Sequence, residues 1–327
     1  VIRTGETYLH DAPYYVGNHP VQKGMHDHVT LINLLREEVC EKRNKRLFYR
    51  TWDMGKLHSL PQHYLSVTDS VEPHPNLYFS LKHTMTDFWR SGVSIPQVDY
   101  DKLDTYWLEE SGRYGVPFNP CIGIGKHPQI VEVQCQREYE GKAAHPNYIA
   151  KGVIDGFNEF KEAGIRQPYC LNQMKNNPLL KGIWTWSRGG GWGGPYINNE
   201  FWLELNAHVL AGWANDPSCS EEKLFANFAW KKGLPEAETE VFRKLCLLSS
   251  EGVLKGQYSA WGDVYVNWTR DDAVTGDFFL KSYFDSIIRK NKVGEYIEEK
   301  KEAVRIWKEI ERISRTLHFP SEELNHF

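Results

Sequence analysis

Three carboxylates follow short strand-like runs in this 327-residue chain: Glu6 after Val1–Thr4, Asp87 five residues past Lys82, and Glu138 after Ile130–Gln136. Two cations close further runs, Arg50 in Phe48-Tyr49-Arg50-Thr51-Trp52-Asp53 and Lys82 after Asn76–Leu81. Acids and bases at the ends of parallel strands converge on one mouth, where chemistry is done. A protonated carboxyl facing an ionised one is what glycoside hydrolysis needs, one to protonate the leaving oxygen and one to activate water or attack the sugar. Among 43 Asp and Glu residues some strand-end acids arise without function, so surface or salt-bridged acids are the competing account. The cations allow two roles. They could hold an anionic substrate group, Arg through a bidentate fork, or act as counter-ions that keep Asp87 and Glu138 ionised.

The richest stretch is Ile130–Tyr148, IVEVQCQREYEGKAAHPNY, where an apolar strand runs into Arg137, Glu138, Tyr139 and His145. Its histidine fits either a site contact or a satisfied core position. Aromatic residues are plentiful, with 12 Trp and 17 Tyr, and Trp52, Trp184 and Trp186 fall at strand ends. Flat rings there could stack on sugar faces or simply fill a large core.

The elements that must position these groups are five β-rich runs, Val1–Thr4, Arg46–Thr51, Asn76–Lys82, Ile130–Gln136 and Gly182–Trp186. Helical patterns lie between most of them. The clearest are His28–Lys42, with Leu31, Leu34, Leu35 and Val39 on one stripe, and Asn147–Ala163, with Ile149, Val153, Phe157 and Phe160 on another. Strand–helix alternation implies an α/β fold with a parallel sheet. Five strands fall short of an eight-stranded barrel, and the chain opens inside a strand. The expectation is therefore the C-terminal strands of a (β/α)8 TIM-type barrel whose N-terminal strands belong to an earlier part of a longer polypeptide; an open five-stranded sheet is the alternative. After Gly189–Pro195 the pattern turns helical, at Asn199–Trp213, Ser220–Lys232, Pro235–Leu248 and Gly294–Leu317. The division expected is a barrel portion over 1–198 and a mainly α-helical C-terminal domain over 199–327.

Composition narrows the partners. A net charge of -4 provides no positive field for nucleic acid, and no apolar run approaches the roughly 20 residues that span a bilayer. The six cysteines show no C-x-x-C or metal-like spacing and read as free core thiols, which leaves cytoplasm and periplasm both open. No metal site and no cofactor is expected. A metal-dependent reading would have to draw on His10, His19, His26, His28, His83 or His145, which lack H-E-x-x-H spacing.

The order of these pieces resembles the catalytic half of the glycoside hydrolase family 67 α-glucuronidases. In that family a strand ends in an acid motif Ser-Glu-Gly, a later one in Arg, and another reads Gln-Ile-Lys-Asn-Gly-Pro-Ile-Asp-Phe, before Glu-Phe-Gln-x-Thr-Gln-Glu-Tyr-x-Gly. The corresponding stretches are Gly5-Glu6, Tyr49-Arg50, Ser80–Phe88 and Glu132–Gly141, with His145 and Tyr148 at similar offsets, and Leu205–Phe228 is similar to the family's link into its helical domain. The resemblance implies an inverting, exo-acting uronosidase on plant or algal oligosaccharides. It makes Glu6 the general acid, has Asp87 and Glu138 position and deprotonate water, has Arg50 and Lys82 hold the uronate, and puts His145 and Tyr148 near the sugar. Inversion needs acid and base roughly 6.5–9.5 Å apart.

The chain also departs from the pattern. Glu6 is followed by Thr7-Tyr8-Leu9-His10-Asp11 rather than Gly-Gln-Pro-Gly-Pro, and Trp184–Gly191 replaces a Gly-Asp-Asp stretch. A relative acting on another sugar fits the same plan, as does a non-catalytic carbohydrate-binding protein. The partner expected is an oligosaccharide, with no nucleic acid and no membrane, and with the helical region as the candidate surface for a homodimer.

Overall fold

The computed structural model describes residues 1–3, 25–52, 56–84, 118–134, 147–162, 168–186, 200–257 and 284–320. They form a mixed α/β fold around one parallel sheet. Its strands are β1 (Ile2–Arg3), β2 (Leu47–Arg50), β3 (Leu77–Lys82), β4 (Gln129–Gln134) and β5 (Leu180–Trp186), paired in sequence order β1-β2-β3-β4-β5. Each strand falls on one of the five runs expected. Parallel neighbours need crossovers, and helices supply them: α1 (Met25–Leu35), which winds on as a π-helical segment Arg36–Glu41, leads into β2, and α2 (Pro61–Thr68) leads into β3.

Register divides the sheet into two unlike faces. Tyr49 pairs with Phe79 and Leu81 with Val131, so Leu47, Tyr49, Leu77, Phe79, Leu81, Val131 and Val133 share one face, and all are buried. Both helices lie against it. The Tyr49 hydroxyl meets Nδ1 of His28 on α1 at 2.9 Å, and Tyr64 of α2 packs edge-on to Phe79 with ring centroids 5.9 Å apart. The opposite face carries Arg50, Ser80, Lys82, Glu132 and Trp184. One face of the sheet thus packs mainly apolar side chains under α1 and α2, and the other gathers the charges.

The stripe on α1 differs from the expected one. Ile32 is fully buried with His28, whereas Leu34 is 55% exposed, because two residues along a helix turn about 200° around its axis. The pattern over 147–163 buries all four expected residues, yet it is two helices, α3 (Ala150–Asp155) and α4 (Asn158–Glu162). Gly156 separates them at φ 89, a left-handed conformation that only glycine adopts without strain, and a Cβ there would lie 2.4 Å from the Tyr169 ring.

Beyond β5 the described residues form helices where the pattern predicts them: α5 (Phe201–Asn215), α6 (Glu221–Lys231), α7 (Glu236–Gln257) and α8 (Val293–Ser314). Ser220 caps α6 by accepting from the Lys223 N–H at 3.4 Å, and Glu221 and Glu222 occupy the first turn where the helix dipole favours acids. α7 runs nine residues past the expected Leu248. Buried side chains form one contiguous cluster from Ile32 through the strands to Phe201, Phe225, Phe242 and Phe319. The five described cysteines are free thiols, and Cys135 lies outside the described residues. Among the described residues no helix is long and apolar enough to cross a membrane.

Candidate functional site

The charged face of the sheet gathers five side chains near its carboxyl edge. Glu132 sits in the strand Gln129–Gln134, opposite Lys82 on β3 and opposite Trp184 on β5. A carboxylate between Val131 and Val133 with no exposed surface must be neutralised by charge or hydrogen bonds. Arg50 does this with two prongs: its Nε donates to Glu132 Oε2 at 2.7 Å and its Nη2 donates to Oε1. The Lys82 ammonium lies 3.5 Å from the same Oε1. All three side chains are buried, at 4%, 2% and 0% exposure, so water barely screens the attraction.

Each cation also meets an indole. The Arg50 guanidinium lies 5.7 Å from the Trp184 ring centroid, and the Lys82 ammonium 4.3 Å from that of Trp52. Both distances permit a cation–π attraction. Trp184 is oriented by its N–H, which donates to Ser80 Oγ at 2.8 Å, and Trp52 by the edge of the His58 ring, 4.9 Å away at 86°.

His58 is wholly buried just behind. Burial pushes its pKa down to about 3, with the Lys82 and Arg50 charges adding to the effect, so the imidazole is neutral. Its Nδ1 lies 3.0 Å from Thr51 Oγ1, and the Asn119 side-chain amide reaches both the ring Nε2 and the His58 carbonyl. Next to it, the His83 N–H donates to the Glu132 carbonyl at 2.9 Å, which extends the ladder past the end of β3. Chemically, the cluster offers cationic donors beside flat apolar rings.

The structure therefore brings together Arg50, Lys82, Trp52 and Trp184 from the expected set. Trp186 is the last residue of β5, in register with Gln134. Tyr148 lies elsewhere. Its side chain is buried against the helical region, its hydroxyl donates to Glu221 at 2.5 Å, and its ring packs on Phe225. Burial and the Glu221 charge push that phenol well above its ordinary range. Arg243 completes the pairing of Glu221 at 2.5 Å, and Lys151 stands 3.6 Å away. Glu6, Asp87, Glu138 and His145 lie outside the described residues. Among the described residues no three His, Cys, Asp or Glu side chains gather as metal ligands would.

No protein-family model and no curated protein matches the sequence.

Two members went unseen in sequence. Glu132 has a signal in the sequence, because a lone acid inside the apolar run Ile130-Val131-Glu132-Val133 must find a partner, although it stands in a strand interior rather than at a strand end. His58 had no signal at all. Its place beside Trp52 comes from a helical turn, Lys56–Ser59, folding back against the end of β2.

Proposed function

We propose that the protein is a glycoside hydrolase of the uronosidase type, built on the C-terminal strands of a (β/α)8 barrel. Strand order supports the barrel: parallel strands paired in sequence order, joined by crossovers of one hand, put their helices on a single face. The other face must then be covered in another way, and a barrel does so by closing on itself. A doubly wound sheet would reverse its strand order to place helices on both sides.

One observation carries the choice of substrate: Arg50 and Lys82, each against an indole, share the charged face at the carboxyl edge of the sheet. Cations suit the carboxylate of a uronic acid, and indole planes suit the apolar face of its ring. In this reading Glu6 donates the proton to the leaving oxygen, while Asp87 and Glu138 position and deprotonate the attacking water. Trp186 and His145 join the sugar-binding surface, while Tyr148 packs in the helical region apart from it. The partner is an oligosaccharide.

The test is a turnover screen on 4-nitrophenyl α- and β-glycosides of glucuronic acid, galacturonic acid, glucose and galactose. 4-O-methyl-glucuronosyl xylo-oligosaccharides are included, and NMR follows the first anomer released. Hydrolysis confined to uronides, with inverted configuration, is expected. Retention would sink the inverting mechanism, and sugar binding without turnover would favour a binding protein. Glu6→Ala should slow poor leaving groups far more than aryl ones, because only the former need a proton.

A further inference from the structure

We infer that Glu132 is the positioning residue of the anion site: its carboxylate sets the directions in which Arg50 and Lys82 present their charges to a substrate. The inference rests on the uronide reading and adds a residue that does not itself touch the sugar.

The geometry is specific. A guanidinium carries donors along three edges, and pairing through Nε and Nη2 to the two oxygens of one carboxylate fixes both its plane and its rotation. Trp184 stands to one side of that group at 5.7 Å, and Ser80 in turn holds Trp184 by its indole N–H. An ammonium has no plane to align and is placed by points, among them the Trp52 ring at 4.3 Å and Glu132 Oε1 at 3.5 Å. One oxygen, Oε1, thus takes part in placing both cations. Without it, the like charges of Arg50 and Lys82 on adjacent strands lose the anion they share, and their mutual repulsion is less compensated.

Sheet pairing makes the arrangement rigid. Lys82 and Glu132 are directly paired across β3 and β4, and Arg50 reaches the same carboxylate from β2, past Ser80. All three side chains stand on strands. A site on strands holds its geometry more closely than one on loops.

The experiment compares wild type, Glu132→Gln and Glu132→Asp, each checked for native circular dichroism and cooperative melting. Calorimetry measures the binding of D-glucuronate and of D-glucose, and kinetics follow 4-nitrophenyl α-D-glucuronide. Glu132→Gln removes the charge at constant shape. Glu132→Asp keeps the charge one methylene short of both cations, and provides the folded variant should the first fail to fold. Both are expected to weaken glucuronate binding at least tenfold and to raise KM by a similar factor, with kcat within about threefold and glucose binding unchanged. Wild-type binding of glucuronate that survives in both folded variants would overturn the positioning role and leave the uronide reading standing. Failure of the wild type to bind or turn over any uronide would overturn that reading, and this inference with it.

Discussion

Arg50 and Glu132 meet across an intervening strand: β2 holds the guanidinium, β4 holds the carboxylate, and Ser80 of β3 lies between them in register with Arg50. Neither side chain has more than 4% of its surface exposed. A buried pair of this kind is costly to break from one side, because the survivor stays charged with this counter-charge gone. Arg50→Met and Glu132→Gln are each expected to lower unfolding free energy by about 3–5 kcal/mol. The double variant should lose less than the sum of the two. Urea unfolding of all four species checks this, and strict additivity would mean that the contact carries no energy of its own.

His58 predicts a pH dependence. Its folded pKa is lowered, first by burial and then by Lys82, from an ordinary 6.5 to about 3. Below pH 6.5 the unfolded chain therefore takes up a proton that the folded protein refuses. The neutral ring's contribution is full above pH 6.5 and is lost as pH falls towards 3, with a slope approaching about 1.4 kcal/mol per pH unit. Part of the acid sensitivity has another source with the same sign, since burial also lowers the pKa of His127. Denaturant unfolding at pH 5, 6 and 7 should show a shallower slope in His58→Gln than in wild type. Parallel slopes would mean that His58 already titrates normally.

Asn206 on α5 is expected to be a single point of failure. Its Oδ1 accepts the N–H groups of Ile149 and Ala150 at 2.9 and 3.0 Å, which begin α3, and its Nδ2 donates to the carbonyls of Asn147 and Trp202. The residue is 2% exposed, so water cannot replace it. Asn206→Leu strands several backbone groups at about 1–3 kcal/mol each, and a total loss of at least 3 kcal/mol is expected in equilibrium unfolding. A loss below 1 kcal/mol would show that the segment re-forms its bonds without the amide.

Glycine substitutions give a contrast of sign. At Gly156, φ 89 and the nearby Tyr169 ring oppose any Cβ, so Gly156→Ala should cost at least about 1–3 kcal/mol. At Gly294, in the first turn of α8, a Cβ meets nothing within 4 Å. Gly294→Ala should be neutral or stabilising by up to about 1 kcal/mol. Thermal melts of the two variants under one buffer decide the matter, and a destabilised Gly294→Ala would contradict the open surroundings of that position.

Much of the fold was legible in the residues. The strands of β-branched and aromatic runs appear where Leu77–Lys82 and Ile130–Gln134 announce them, and Ser220 with Glu221 marks the start of α6 as capping chemistry requires. Phase and breaks were less legible. The stripe over 147–163 names the right buried residues, yet one helix becomes two at Gly156, where a glycine inside a helical pattern serves the turn between them. Tyr148, placed near the sugar by resemblance, turns its hydroxyl to Glu221, a partner 73 positions away that no local pattern could disclose.

The sequence by itself determined which segments would be strands and helices and that the sheet would be parallel, because periodicity and crossover length are local properties of the chain. It also marked Arg50, Lys82 and the tryptophans as candidates. Only the tertiary structure decided that these cations share Glu132 and lie against Trp184 and Trp52, and that His58 is neutral behind them. The reason is physical: which charges meet depends on strand register, and a proton's affinity for His58 depends on the burial and charge that distant segments bring around it.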